Sequence, residues 1–123
     1  MGSPVQSLAL DNYPIGRKEG SGVAWQSGTT TCNIVPTMDQ TTGADTTKSG
    51  KFGFEISSDG QNYTVLSSDG WQGGPDTKNN VAYNLPFIGP IVYGSGQTPP
   101  AFVRAFWETI SGSVAVGLSL QFS

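Results

Sequence analysis

The chain has 123 residues, among them 17 glycines and 8 prolines, and only 12% of its side chains are charged. Its length suits a single domain over 1–123, and its composition favours short strands joined by turns over helices. A net charge of −3 with six scattered Lys and Arg argues against a nucleic-acid partner. No stretch reaches the roughly 20 apolar residues that cross a bilayer, so no membrane segment is expected.

The first third of the chain predicts three strands, Val5–Leu10, Gly22–Gln26 and Thr30–Val35. The single cysteine, Cys32, lies within the third and is expected to be a small buried hydrophobe, since one cysteine cannot form an internal disulfide. A Thr-rich, acidic stretch, Thr37–Ser49, follows. It is long for a connection in a compact domain, and loops of that length are usually functional or mobile.

The middle of the chain predicts a β-hairpin. Lys51–Ile56 alternates apolar and polar residues, Ser57–Gly60 has turn chemistry, and Asn62–Leu66 is the return strand. The tetrapeptide Ser-Ser-Asp-Gly recurs at Ser67–Gly70, where it is expected to end that strand in a second turn. Trp71–Asn80, with its Gly-Gly-Pro, is expected to be a loop.

Two further strands are predicted at Val81–Leu85 and Ile88–Tyr93, followed by a loop at Gly94–Pro100. No segment keeps a 3.6-residue period over ten or more residues, so little or no helix is expected. About nine short strands at intervals of roughly ten residues indicate an all-β sandwich, barrel or jelly roll.

The C-terminus carries the clearest pattern. Val114–Phe122 alternates strictly between apolar and small or polar residues, which predicts a strand with one buried face. Phe102–Thr109 is aromatic and β-branched, and Ser111-Gly112 separates the two runs, so the pair is interpreted as a β-hairpin. Because Phe102–Thr109 has large apolar side chains on both faces, that strand is expected to be central or to lie under an interface.

The sequence specifies no catalytic apparatus and no cofactor. It has no histidine, the commonest general base and metal ligand, and the chain is interpreted as not an enzyme. Asp59 and Asp69 each precede glycine, where aspartate favours turns, although a calcium site built from them and Asp76 is left open. Trp71, flanked by glycines and polar residues, is the one candidate for stacking on a sugar ring.

The order of features over 50–123 resembles the jelly-roll cement, or decoration, proteins of tailed-bacteriophage capsids. Phe52–Val65 looks like their strand, Asp-containing turn and strand, and Leu85-Pro86 looks like the Leu-Pro before a later strand. Phe102–Trp107 with Val114–Leu118 looks like their closing hairpin. The resemblance implies an all-β fold of jelly-roll or related antiparallel β-sandwich type with about eight to nine strands.

The resemblance implies a virion structural protein, made in the host cytoplasm, that binds the outside of the head and stabilises contacts between capsomers. Its expected partners are the major capsid protein and further copies of itself, as a dimer or trimer. The alternative is a carbohydrate-binding module, lectin-like or tail receptor-binding, that uses Trp71. For the capsid role, the residues predicted to contact a partner are Val5, Leu8, Leu10, Tyr13, Met38 and Arg104, the last as a structural or interfacial ion-pair member.

Overall fold

A computed structural model describes residues 3–38, 49–76, 81–84, 90–112 and 114–123. The described chain forms ten strands and contains no helix, as the sequence predicts. The strands are β1 (Val5–Tyr13), β2 (Gly16–Glu19), β3 (Val23–Ala24), β4 (Thr31–Met38), β5 (Ser49–Ser57), β6 (Thr64–Asp76), β7 (Val81–Asn84), β8 (Ile91–Val92), β9 (Phe102–Ser111) and β10 (Val114–Phe122).

The strands form two antiparallel sheets. Sheet A has the order β1-β10-β4-β8, and sheet B has the order β2-β9-β5-β6-β7. The short strand β3 pairs with β9 beyond the end of β2, so β2 and β3 share one edge position of sheet B. The two sheets therefore contain nine strand positions, in agreement with the predicted number.

The strand order is that of a jelly roll. For this comparison β2 and β3 count as one strand position, and β7 is an extra strand at the edge of sheet B. The first strand, β1, then pairs with the last, β10. Moving inward, β2 pairs with β9, β4 with β8, and β5 with β6. This nested antiparallel pairing describes a long hairpin rolled into two sheets, which is the jelly-roll arrangement.

The core lies between the sheets and follows the alternation read in the sequence. Val116, Leu118, Leu120 and Phe122 of β10 are at most 1% exposed. They face the inner side of sheet B, where β5 and β9 contribute a second set of buried side chains: Phe52, Phe54, Val103, Ala105, Trp107 and Thr109. Cys32 is also fully buried, as expected, and desolvation raises the pKa of its thiol to about 12, so it stays protonated near neutral pH.

The predicted C-terminal hairpin is wrong in its pairing. β9 lies in sheet B between β2 and β5, whereas β10 lies in sheet A between β1 and β4. Gly112, with φ of +75°, follows β9 in the connection that passes from one sheet to the other. Both strands bury one face in the same core, and a period-2 pattern specifies that face but not the neighbouring strand.

The predicted hairpin of β5 and β6 is confirmed, with its turn at Ser57–Gly60, where Gly60 has φ of +78°. The second predicted turn is wrong, because Ser67–Gly70 lies inside β6. That strand continues to Asp76, through six of the ten residues of the loop expected at Trp71–Asn80. Asp69 pairs with Phe52, about 17 Å along the hairpin from the Asp59 turn. The two aspartates therefore do not meet in one calcium site.

The Asp59 carboxylate closes the β5–β6 turn and gives a pH-dependent prediction. It accepts hydrogen bonds from the backbone amides of Asn62 and Gln61 and from the Asn62 side chain, each at 2.8 Å, and from Ser57 Oγ at 2.9 Å. The amide of Asn62 and then these other donors hold the pKa of Asp59 well below its usual range. The charged form therefore stabilises the fold above about pH 4, and this contribution is lost as the pH falls further.

We expect Asp59→Asn to flatten the loss of stability between about pH 4 and pH 2 in urea unfolding measured at each pH. Asp69→Asn is the matched control, since the Asp69 carboxylate accepts only from the amide of Gly70 within the described chain. A pH slope for Asp59→Asn equal to that of the unmodified protein would contradict the assigned role.

Candidate interaction surface

The outer face of sheet A carries no charged side chain on its strands β4, β8 and β10. Every second side chain of these strands points into the core, so the side chains between them point outward. The outward positions carry small, amide or aliphatic side chains: Ala115, Gly117, Ser119 and Gln121 of β10, Asn33, Val35 and Thr37 of β4, and Val92 of β8. Val92 is 60% exposed. Charge depletion of this kind is typical of the centre of a protein interface.

The edge strand β1 adds a further apolar side chain to this face. Its register against β10 shifts between Gln6 and Leu8 and again between Leu8 and Asp11, so β1 contains two irregularities. A Cβ on Gly117 would point outward and lie 3.0 Å from the amide nitrogen of Leu10. The chain at Leu10 therefore passes close over the outer side of β10, and the Leu10 side chain is 55% exposed there.

The outer face of sheet B has the opposite character. Its outward positions on β2, β5 and β9 hold six charged side chains: Arg17, Glu19, Lys51, Glu55, Arg104 and Glu108. All six take part in ion pairs. The two faces of the sandwich thus differ sharply in charge, although they belong to one small domain.

Glu55 is the centre of the ion pairs on sheet B. Its carboxylate accepts from Arg104 Nε and from Arg17 Nη2, each at 2.8 Å, and its side chain is only 6% exposed. Each guanidinium also covers an aromatic ring, with Arg17 3.8 Å from the centroid of Phe106 and Arg104 3.8 Å from that of Tyr63. The network is therefore fixed by charge and by stacking together.

This network explains the two apolar faces of β9. Val103, Ala105 and Trp107 fill the core, and Phe106 on the opposite face is 1% exposed beneath Arg17. β9 is central in sheet B, which was one of the two predicted explanations for its apolar residues. The chain itself covers Phe106, so burial by a partner is not needed to account for it.

The predicted partner-contacting residues separate into several environments. Leu8 and Tyr13 belong to the core, at 3% and 9% exposure, so they are not available on the surface of this chain. Val5 is partly buried and Leu10 exposed, both on the edge strand β1. The backbone of Met38 pairs with Val116 in sheet A, and its side chain lies outside the described residues.

Arg104 forms an ion pair with Glu55 within the chain, which is one of the two roles predicted for it. Trp71 lies in β6 opposite Gly50 rather than in a loop, and its side chain is outside the described residues. The predicted Leu85-Pro86 and the 39–48 part of the long acidic stretch are outside them as well. Gly94–Pro100 is a loop as predicted, turned by a hydrogen bond from the amide of Gln97 to the carbonyl of Gly94.

Sequence reasoning missed both the charge-free face and the Glu55 network. The signal for the face is present, since Thr29–Met38 and Ser111–Ser123 contain no charged residue. The network has no such signal, because Arg17 and Glu55 are 38 positions apart and meet only when β2 and β5 flank β9.

Within the described part of the chain, no group of three or more His, Cys, Asp or Glu is arranged to hold a metal ion. The same residues contain no helix long and apolar enough to cross a membrane. Comparison of the chain with protein-family models, with curated proteins and with solved structures finds no match. The geometry of the two sheet faces therefore carries the functional argument.

Proposed function

We propose that this protein is a non-enzymatic capsid decoration protein that binds the outer surface of a tailed-phage head through the outer face of sheet A. In this role it stabilises contacts between capsomers by contact area rather than by chemistry. The expected partners are the major capsid protein and further copies of the chain, so that several copies of one modest contact act together.

The charge-free outer face of sheet A carries the proposal. Its central strand β10 presents Ala115, Ser119 and Gln121 outward, while Gly117 is covered by the chain at Leu10. The exposed side chains of Leu10 and Val92 belong to the strands at the two edges of the sheet. Short side chains allow a partner surface to approach closely, and the absence of charge avoids the cost of removing ions from water. The charged face of sheet B suits the side that remains solvated.

The jelly-roll strand order agrees with what the sequence resemblance implies. Jelly rolls occur in viral capsid and lectin domains alike, so the fold supports the proposal without selecting it over carbohydrate binding. The complete absence of histidine in the sequence further favours a structural role over catalysis.

A charge placed in the middle of the sheet A face tests the proposal. We expect Ser119→Lys to weaken cosedimentation with heads assembled from a tailed-phage major capsid protein by about 100-fold or more, because an unpaired ammonium would be buried in the contact. Ser119 lies in β10 and pairs with Gln6 and Val35, at the centre of that face. Light scattering after size exclusion would report the oligomeric state of each variant.

The matched control is Ser68→Lys, since Ser68 is an exposed serine of β6 that pairs with Gly53 on the charged sheet B. It should leave capsid binding unchanged. A monomeric protein that fails to bind capsids would overturn the decoration role, and equal weakening by both lysine variants would overturn the choice of face.

A further inference from the structure

A groove of about 570 Å³, lined by polar and apolar groups in similar measure, lies between the edges of the two sheets, on the side where β1 and β2 run past each other. Its β1 wall includes Asp11, Asn12 and Tyr13, and its β2 wall includes Lys18 and Glu19. We call this cavity the edge groove. Its volume falls within the range of about 300–1,000 Å³ that is usual for small-molecule sites.

The edge groove is open to solvent, and its walls are joined at two places along the chain. Pro14 lies at one end, in the corner that joins β1 to β2. At the other end, Ser7 Oγ donates to the carbonyl of Ser21 at 2.9 Å and accepts from the amide of Ala105 at 2.9 Å. The amide of Ser21 donates to the carbonyl of Ser7 at 2.6 Å. A Cβ on Gly20 would lie 2.4 Å from Ser7 Oγ, so only glycine fits beside these hydrogen bonds.

The β1 wall of the groove is irregular in a way that disfavours pairing with an added strand. Both register shifts of β1, at Gln6/Leu8 and Leu8/Asp11, fall along the groove or beside Ser7. Bulges of this kind interrupt a ladder of backbone hydrogen bonds, redirect side chains, and are common beside binding sites. The groove therefore suits a compact ligand better than an extended peptide.

The groove lining mixes both signs of charge with hydrogen-bond donors and acceptors. Lys18 forms no ion pair within the described chain, and Asp11 accepts there only from the amide of Asn12. The third charged group, Glu19, is paired with Arg17 at 3.2 Å. The unpaired ammonium and carboxylate are opposite in sign, so the lining as a whole favours neither an anion nor a cation.

We propose that the edge groove binds a neutral, hydroxyl-rich ligand, a sugar. Each hydroxyl of such a ligand both donates and accepts, which matches the Lys18 ammonium, the Asp11 carboxylate and the Asn12 amide together. The Ser7 hydrogen bonds and the Pro14 corner hold the walls in place before binding, which reduces the entropy lost on binding. The proposal does not rest on the capsid role, because none of the residues that line the groove belongs to the charge-free face of β4, β8 and β10.

The test uses the 123-residue chain, labelled with ¹⁵N, and four probes: glucose, galactose, mannose and N-acetylglucosamine. We expect at least one of them, at up to about 50 mM, to shift amide resonances of β1 and β2, since a single ring binds with a Kd of about millimolar order. Lys18→Ala should weaken that binding about fivefold, the effect of one lost hydrogen bond. Ala9→Trp, which places a large ring at the groove wall, should abolish it.

Two controls match these variants on other strands. Lys51→Ala removes a lysine from β5, and Ala24→Trp adds the same ring to an exposed alanine of β3, so neither should change sugar binding. Thermal unfolding of Ala9→Trp at an unchanged temperature would show that its loss of binding is not a loss of folding. If no probe shifts the groove amides, or if binding survives Ala9→Trp but is lost in Trp71→Ala, the edge groove is not the site.

Discussion

Replacing Glu55 with alanine is expected to lower the free energy of unfolding by about 3 kcal/mol. The substitution leaves Arg17 and Arg104 on the sheet B face without the carboxylate that each approaches to 2.8 Å. Removing one partner of a buried ion pair costs about 3–5 kcal/mol. The lower end applies because the two arginine side chains keep 31% and 23% exposure and regain some hydration. Urea unfolding at neutral pH would measure the change.

Glu19→Ala is the matched control for Glu55→Ala. Glu19 also pairs with Arg17, at 3.2 Å, but the side chains are 41% and 31% exposed, so we expect a loss of about 0.5 kcal/mol or less. Glu55→Gln separates charge from packing, since it keeps the shape and removes the charge. A loss below about 1 kcal/mol for Glu55→Ala would contradict the central role of this carboxylate.

Trp107→Ala is expected to lower the free energy of unfolding by about 4 kcal/mol, the largest effect of any single substitution proposed for this chain. Trp107 is fully buried and packs on Phe52, with ring centroids 5.6 Å apart. Its Nε1 donates to Thr109 Oγ1 at 3.1 Å, and Thr109 Oγ1 in turn donates to the carbonyl of Tyr13 at 3.2 Å. The indole thus links β9 to β5 and, through Thr109, to the end of β1.

Trp107→Phe should cost less, about 1–2 kcal/mol, because it retains most of the apolar volume and loses the hydrogen bond to Thr109. Ile110→Ala, three residues along the same strand and 57% exposed, is the control and should change stability by about 0.5 kcal/mol or less. Equal losses for Trp107→Ala and Ile110→Ala in chemical unfolding would show that the core is not where the described packing puts it.

The charge-free face of sheet A and the Glu55 network differ in how far the sequence reveals them. The face depends on local alternation, and β10 buries Val116, Leu118 and Leu120 as predicted. The network depends on β2, which sequence reasoning missed because its Arg-Lys-Glu run is exposed and lacks an apolar face. Such an edge strand is recognised only from its pairing with a neighbour. Here β2 pairs with β9, and Lys18 lies opposite Trp107.

The repeated tetrapeptide Ser-Ser-Asp-Gly shows the same limit on a smaller scale. At Ser57–Gly60 it forms the turn that the sequence predicts, closed by the Asp59 carboxylate. At Ser67–Gly70 it lies within β6, because β5 extends alongside and supplies the ladder partners Phe52 and Phe54. Turn propensity is a local preference of about the size of one hydrogen bond, and a long partner strand overrides it.

In the last thirty residues, the local sequence determines where the strands lie, and the tertiary structure determines which strands they pair with. Strict alternation is sufficient to predict that Val114–Phe122 is a strand with one buried face, because side chains in a strand point to opposite sides in turn. The aromatic and β-branched residues of Phe102–Thr109 are sufficient to predict a second strand, with apolar side chains on both faces. Whether those strands pair with each other depends on contacts far apart in the sequence. Only the tertiary structure separates them, with β10 between β1 and β4 and β9 between β2 and β5. A strand buries its apolar face in the common core whichever strands flank it, so the residue pattern leaves the pairing open and the packing of the whole chain selects it.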